Sequence, residues 1–173
     1  MENKIIFKIP LIKYSIDNWD LKKEELTKVI TQLKFNSVHK FISSRNIKEN
    51  IFFDDVFVKI LNQEFLDIEK EIGKEIKEIN SWVVQYKKYG EHIIHNHAST
   101  GLGGVLYFDY DEREHSSTKY LMPMNDIFND TSLIYEEKVK EGDIVIMPAA
   151  LHHFCPCNTS DKPRTIIGLD IKF

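Results

Sequence analysis

Up to about Asn80 the apolar positions of this chain recur at helical spacing, and beyond it they alternate. Leu26, Val29, Ile30 and Leu33 form an i, i+3, i+4, i+7 stripe. That stripe predicts a helix beginning near Asp17 or Asp20. A longer stripe of Phe57, Ile60, Leu61, Phe65, Ile68, Ile72, Ile76 and Ile79 predicts a second helix, capped by Asp54 or Asp55. Gly73 interrupts it; a glycine inside a helix costs about 1 kcal/mol relative to alanine, so a bend or stop is expected there. Ahead of both helices, Ile5, Ile6, Phe7, Lys8 and Ile9 read as a short strand ended by Pro10.

After Asn80, Trp82, Val84 and Tyr86 alternate with Val83 and Gln85, and Gly90 ends the run. Residues 104–108, 133–139, 144–147 and 165–171 read as further strands, with Glu141, Gly142 and Asp143 as a turn. The polar stretch 109–131, with Pro123, Asn125 and Asn129, predicts loop. Many short strands between turns predict a sandwich or barrel. The expected fold is thus mainly β with N-terminal helices: one domain over 1–173, in which a mainly helical buttress (1–80) backs a β core (81–173).

Composition narrows the class. The 173 residues are 42% hydrophobic and 29% charged, with a formal net charge of −4, ordinary for a soluble globular protein. A single domain of this size buries roughly 70% of the surface its unfolded chain exposes. The acidic balance argues against bulk nucleic-acid binding. Lys22 with Lys23, and Lys87 with Lys88, make only small patches, and the lysines from Lys70 to Lys77 are interleaved with glutamates as on a solvated helix face. No apolar run is long enough to span a bilayer and the N-terminus has no signal-peptide core, which predicts a cytoplasmic protein without a membrane partner. Cys155 and Cys157 flank Pro156, a spacing that is no disulfide framework; both are read as packing residues in a reducing compartment. Oligomeric state is not written in these features.

Candidate chemistry begins at His95 and His97. Two histidines two apart on a strand point the same way, and a third from a remote strand, His153, can close a metal site with them. Neutral imidazole suits iron, zinc, copper or nickel. His152 points away from His153, and His92 is expected outside the ligand set. Arg164 follows His153 by eleven residues. The two are equidistant from the centre of the connection between them, so antiparallel pairing around it would set them opposite one another. A guanidinium there suits a carboxylate, which it binds bidentately. Trp82 and Tyr86 are read as core.

From Trp82 onward the chain resembles the 2-oxoglutarate and Fe(II)-dependent dioxygenase superfamily, in particular its small bacterial and phage branch related to prolyl hydroxylases. The matching stretches are His95-Asn-His97; Gly104-Val-Leu-Tyr-Phe108; residues 141–148, Glu-Gly-Asp-Ile-Val-Ile-Met-Pro; residues 153–164, His-Phe-Cys-Pro-Cys-Asn-Thr-Ser-Asp-Lys-Pro-Arg; and Ile166-Ile-Gly-Leu-Asp170. The resemblance implies a double-stranded β-helix, or jelly-roll, with Fe(II) held at its open end and 2-oxoglutarate as co-substrate. Carried over by position, His95 is the first metal ligand and His153 the last. Arg164 clasps the distal carboxylate of 2-oxoglutarate, and Tyr107 lines the co-substrate pocket. The resemblance further implies hydroxylation of a substrate with release of succinate and CO2.

One position departs from the pattern. Most members carry Asp or Glu two residues after the first histidine, where this chain has His97. A carboxylate from Glu91, Asp109 or Asp111 is an alternative third ligand. A cupin-like three-histidine metalloenzyme working without 2-oxoglutarate, or a non-catalytic binding protein on the same fold, are the rival readings. The motifs leave the substrate open between a small molecule and a protein side chain; the 109–131 stretch and the segment before His92 are the expected substrate-facing regions.

Overall fold

Both periodicities of the sequence are realised in the computed structural model, which describes residues 8–38, 40–126 and 128–173. The expected N-terminal strand falls outside the described residues at Ile5, Ile6 and Phe7, as does His39, and Lys8 and Ile9 lie in no strand. The elements run β1 (Ile12–Ser15), α1 (Trp19–Ile30), β2 (Asn36–Val38), β3 (Phe41–Ser43), a 3-10 turn (Lys48–Asn50), α2 (Phe52–Ile60) and α3 (Asn62–Ile72). They continue as β4 (Glu78–Tyr86), β5 (His92–His95), β6 (Leu102–Asp109), β7 (Lys119–Asp126), β8 (Thr131–Glu136), β9 (Asp143–Pro148), β10 (His153–Cys155) and β11 (Arg164–Lys172). Among the described residues no helix is long and apolar enough to cross a membrane.

The strands form a seven-stranded sheet, ordered β1-β9-β6-β11-β4-β3-β2, and a four-stranded sheet, ordered β5-β10-β7-β8. This is the jelly-roll architecture, a double-stranded β-helix. The larger sheet is covered on both faces, which is why its strands read as nearly continuous apolar runs. Val83, Leu106, Phe108, Ile144, Ile146, Ile167, Leu169 and Ile171 meet Leu26, Phe53, Phe57, Leu61, Phe65 and Ile68 of the helical segment. Their strand neighbours Trp82, Val84, Tyr86, Val105, Tyr107, Val145, Met147 and Ile166 point the other way and meet Tyr120 and Cys155 of the smaller sheet. By the same alternation Arg164, Ile166, Gly168 and Asp170 share the face of β11 that looks between the sheets.

Several expectations are corrected. The predicted second helix is two: the chain leaves helical geometry at Leu61 (φ −106°, ψ 26°), which is itself buried. The break turns the rings of Phe57 and Phe65 edge to face at 5.9 Å. Gly73 ends α3 in the left-handed conformation (φ 73°), so the expected stop is the observed one. Asp54 caps no helix terminus. It sits in the first turn of α2, and its carboxylate accepts 2.6 Å hydrogen bonds from the Ser81 amide and hydroxyl, fastening that helix to β4. The segment before Asn80 also supplies β1, β2 and β3 to the larger sheet. The polar stretch read as loop contains β7, paired with β10 on one side and β8 on the other; Pro123 lies where the β7–β8 register shifts, the kind of place a strand tolerates a proline.

The supposed hairpin joining His153 to Arg164 does not form. β10 pairs with β5 and β7, whereas β11 pairs with β4 and β6, so the two residues belong to opposite sheets. Pro156 and Pro163 lie in the connection and cannot donate ladder hydrogen bonds. The connection docks instead on the end of β4: the Asn158 side-chain amide donates to the Tyr86 carbonyl at 3.0 Å, and its backbone exchanges bonds with Tyr89 and Gly90.

The helical layer closes the outer face of the larger sheet, and Phe57 sits fully buried at its middle. Phe57→Ala is expected to cost about 3–5 kcal/mol of unfolding free energy, the usual range for a buried phenylalanine. Urea titration followed by circular dichroism measures it; a loss below about 1 kcal/mol would mean that the helices do not hold this face.

Candidate metal centre

The antiparallel pairing of β5 with β10 sets His153 directly opposite His95. Their ring centroids are 4.4 Å apart. His97 lies just past the end of β5, where its amide donates to the Ala149 carbonyl at 2.9 Å. Its ring is nearly parallel to that of His95, tilted by 15° with centroids 5.7 Å apart. One nitrogen from each of the three rings falls within 4.8 Å of the others. Room for the His97 ring depends on Gly103 of β6, since a β-carbon there would stand 3.0 Å from His97 Nδ1.

Each ring has its Nδ1 already engaged. His95 Nδ1 is 2.8 Å from the Ile93 carbonyl, and His153 Nδ1 is 2.9 Å from the Leu151 carbonyl. His97 Nδ1 lies 2.6 Å from Asp170 Oδ1 and 3.1 Å from the Leu169 carbonyl. A neutral imidazole facing an acceptor at Nδ1 must carry its proton there, which leaves the Nε2 lone pair as the free donor to a cation. Two of the rings also resist protonation: burial pushes His153 down to about 3 and lowers His95. Three imidazoles, one buried and two half-buried, each braced at Nδ1, are the chemistry of a divalent transition-metal site, and iron is within its range.

Behind His97 stands an ion pair. Arg45 Nη2 is 3.0 Å from Asp170 Oδ2, and the guanidinium lies 4.0 Å over the Trp82 ring. Burial alone would raise the Asp170 pKa, but the hydrogen bond from His97 and the charge of Arg45 outweigh it and hold the carboxyl below its ordinary value.

A cavity of about 250 Å³ opens beside the triad. Exposed Asn36, Arg45 and Asn46 mark its open end, and buried Val84, Tyr86, Val105, Thr118, Cys155 and Ile166 line its inner end. Arg164 lies directly behind that inner end. It is 1% exposed, donates to Cys155 Sγ and to the Ser116 and Pro156 carbonyls, and stacks 4.9 Å over the Tyr86 ring. Among the described residues its hydrogen-bond partners are these neutral groups and no carboxylate, and its Nε has no acceptor. A buried cation with only neutral acceptors is costly, so this one calls for an anion. The Tyr120 hydroxyl, on β7 beside β10, is likewise unpartnered. Tyr107 is buried behind the wall, its hydroxyl accepting from the Thr118 amide at 3.1 Å, and burial pushes its pKa up to about 12.

The structure thus brings His95, His97 and His153 together; Arg164 packs against the lining residues Tyr86 and Cys155, and Tyr107, expected to line the pocket, is not part of the cavity lining. Glu91, Asp109 and Asp111 do not join them, being paired with Lys40, Lys23, and Arg113 with Lys162. His152 is exposed; His92 stacks on His95 at 4.0 Å without entering the triad. Trp82 and Tyr86, read as core, are buried and also line the cavity. Sequence reasoning missed Arg45 and Asp170. Asp170 could have been found, since it lies six residues beyond Arg164 and so on the same strand face; Arg45, in a loop, carried no periodic signal.

Burial also pushes His92 down to about 4. In the metal-free chain the rings of His92, His95 and His153 stay neutral while an unfolded histidine, with a pKa of about 6.5, takes up a proton. The unfolded state then binds more protons, so stability is full above about pH 6.5 and falls as pH drops toward the folded pKa values. The melting temperature of the metal-free protein should therefore decline from about pH 6.5 to about pH 5, and His153→Gln should flatten the decline. A flat profile in the unsubstituted chain would contradict the burial of these rings.

Comparison with curated protein sequences finds no match. Solved structures share the fold. A prolyl-4-hydroxylase from Pseudomonas putida is 11% identical, with a TM-score of 0.63 over 94% of this chain and 91% of that one. HygX from Streptomyces hygroscopicus, solved with nickel and 2-oxoglutarate bound, is 11% identical, with a TM-score of 0.67 over 92% of this chain and 82% of that one. A prolyl hydroxylase from Trichoplax adhaerens, in complex with a hypoxia inducible factor peptide fragment, is 9% identical, with a TM-score of 0.62 over 93% of this chain and 82% of that one. A model of the family described as "Putative 2OG-Fe(II) oxygenase" matches residues 80–170, which hold the whole triad and Arg164. The chain belongs to the 2OG-Fe(II) oxygenases, enzymes that depend on Fe(II) and 2-oxoglutarate.

Proposed function

We propose that this oxygenase hydroxylates its substrate, with His95, His97 and His153 as the iron ligands and Arg164 as the anchor for the distal carboxylate of 2-oxoglutarate. The observation that carries the reading is the buried guanidinium of Arg164, which lacks an anionic partner among the described residues and lies behind the inner end of the cavity that the triad borders. It touches Cys155, which sits two residues beyond His153 on β10 and so on the same face, roughly 7 Å further in. That depth suits a short dicarboxylate reaching inward from an ion at the triad.

Iron and 2-oxoglutarate, when bound, supply the oxidising chemistry: oxygen is consumed, the keto acid leaves as succinate and CO2, and a substrate C–H bond becomes C–OH. The chain supplies position and exclusion. The Nε2 atoms of the triad hold the ion, and their braced Nδ1 atoms keep each ring from turning. Arg164 gives the dicarboxylate a fixed polarity in the cavity, and the Tyr107 hydroxyl, held by the Thr118 amide, is a second hydrogen-bonding group beside it. Val84, Val105 and Ile166 keep the walls dry, which favours the intended reaction over attack on solvent.

At about 250 Å³ the cavity accommodates the co-substrate and only the reacting end of a substrate. The remainder lies outside, where Arg45, Asn46 and Trp82 also border a second, open groove that runs past Asn80 and Asp170. A small molecule or a protein side chain both meet that requirement. Structures sharing the fold include one with hygromycin B bound and one in complex with a peptide fragment.

Aerobic incubation with Fe(II) and 2-oxoglutarate, without substrate, should release succinate slowly above the rate of a His153→Ala control. Arg164→Met keeps the volume and removes the charge; 2-oxoglutarate affinity should fall at least about 30-fold, the low end of the about 2–5 kcal/mol lost when a buried charge pair is truncated. Anaerobic titration of the Fe(II) protein, followed by visible charge-transfer absorption, measures it. Unchanged affinity in that variant would favour a three-histidine metalloenzyme working without the keto acid.

A further inference from the structure

The three imidazoles of the centre are not braced alike. His95 and His153 each face a backbone carbonyl two residues earlier, Ile93 and Leu151. His97 faces a backbone carbonyl too, that of Leu169 at 3.1 Å, and in addition the Asp170 carboxylate at 2.6 Å. If fixing the tautomer were all that His97 required, the Leu169 carbonyl would suffice, as single carbonyls do for its partners. The carboxylate adds something a carbonyl cannot, a full negative charge against the ring.

That charge is held in place from its other side. Arg45 bonds the second oxygen of Asp170 at 3.0 Å, and the guanidinium lies over the Trp82 ring at 4.0 Å. With both oxygens engaged, the carboxylate cannot swing away from His97. Its position on β11 follows from the strand alternation that also turns Arg164 inward.

We propose that Asp170 is a positioning residue of the metal centre. Its carboxylate, hydrogen-bonded to His97 Nδ1 and steadied by Arg45, makes His97 the most electron-rich of the three donors and supplies, one residue removed from the ion, the negative charge that a set of three neutral ligands lacks. This inference rests on the reading of His97 as a ligand. A carboxylate behind an imidazole raises the basicity of the opposite ring nitrogen and tightens the bond it makes to a metal.

Asp170→Asn tests the charge alone, because an asparagine keeps the shape and an acceptor oxygen while the Leu169 carbonyl still holds the tautomer. Calorimetric titration of the full chain with Ni(II) should show affinity about 10–100-fold weaker, the range typical of lost outer partners of ligands. The d–d absorption of the Co(II) complex should shift as His97 becomes a weaker donor. Asp170→Glu, which keeps the charge, should recover part of the affinity. In a His97→Asp background a second carboxylate faces Asp170, so adding Asp170→Asn should leave Ni(II) affinity unchanged or tighten it. Undiminished Ni(II) affinity in the single Asn variant, or an equal loss in both backgrounds, overturns the proposal. His97→Ala separates the two levels: if it too binds Ni(II) as tightly as the unsubstituted chain, His97 is not a ligand and the site reading itself fails.

Discussion

One nitrogen from each of three imidazoles converges here while the three Nδ1 atoms are each held by a backbone carbonyl and, at His97, by a carboxylate as well. The Ile93 carbonyl belongs to β5, the Leu151 carbonyl to the turn entering β10, and Leu169 and Asp170 to the central strand β11. These groups lie in different parts of the chain, so the geometry is a property of strand register. A slip of one residue between β5 and β10 would turn His95 and His153 to opposite faces and leave no site.

Burial on both faces of the larger sheet is what prevents such a slip in the strands behind the site. β11 pairs with β4 over nine residues, from Arg164–Tyr86 to Lys172–Glu78, and with β6 on its other edge. Shifting it would expose Ile167, Leu169 and Ile171 on the helical side and bury polar groups in their place. The helices thus act on the chemistry without touching it. By covering the outer face they fix which residues of β11 look inward, and these are Arg164, Ile166, Gly168 and Asp170. The four-stranded sheet is covered less fully, and every residue of its edge strand β8 is exposed.

The parts of the site that were legible in the sequence are those that follow from period two. His95 and His97 share a face, and the triad came from two separated segments, both as the spacing suggested. Continuous apolar runs marked the buried strands, and the helical stripes marked the layer behind them. What was not legible depended on long-range packing. The His153 to Arg164 connection has the length of a hairpin, yet its two prolines and Asn158 route it across the sandwich, so Arg164 arrives from the opposite sheet. β7 was hidden because Pro123 interrupts it and only Tyr120 is fully buried, so no apolar alternation marks it; pairing with partners on both sides makes it a strand. Arg45 was invisible for a similar reason: a loop residue gains its place only when Trp82 and Asp170 are already in position.

Charge then organises the centre. In the proposed arrangement a divalent ion and the Arg164 guanidinium lie at the two ends of one narrow cavity, and the ligands themselves are neutral. Arg45 adds a third positive group, offset by Asp170. Between the sheets a bound ion and Arg164 would be screened far less than in water, so the cavity would carry a positive excess although the chain as a whole is acidic, with a net charge of −4. A dicarboxylate spanning the cavity meets a cation at each end and relieves both. The ion strengthens the hold on the keto acid, and by thermodynamic reciprocity the keto acid strengthens the hold on the ion by the same factor. In that arrangement a three-histidine set would be completed by its own co-substrate, with Asp170, as proposed, biasing the balance from behind His97.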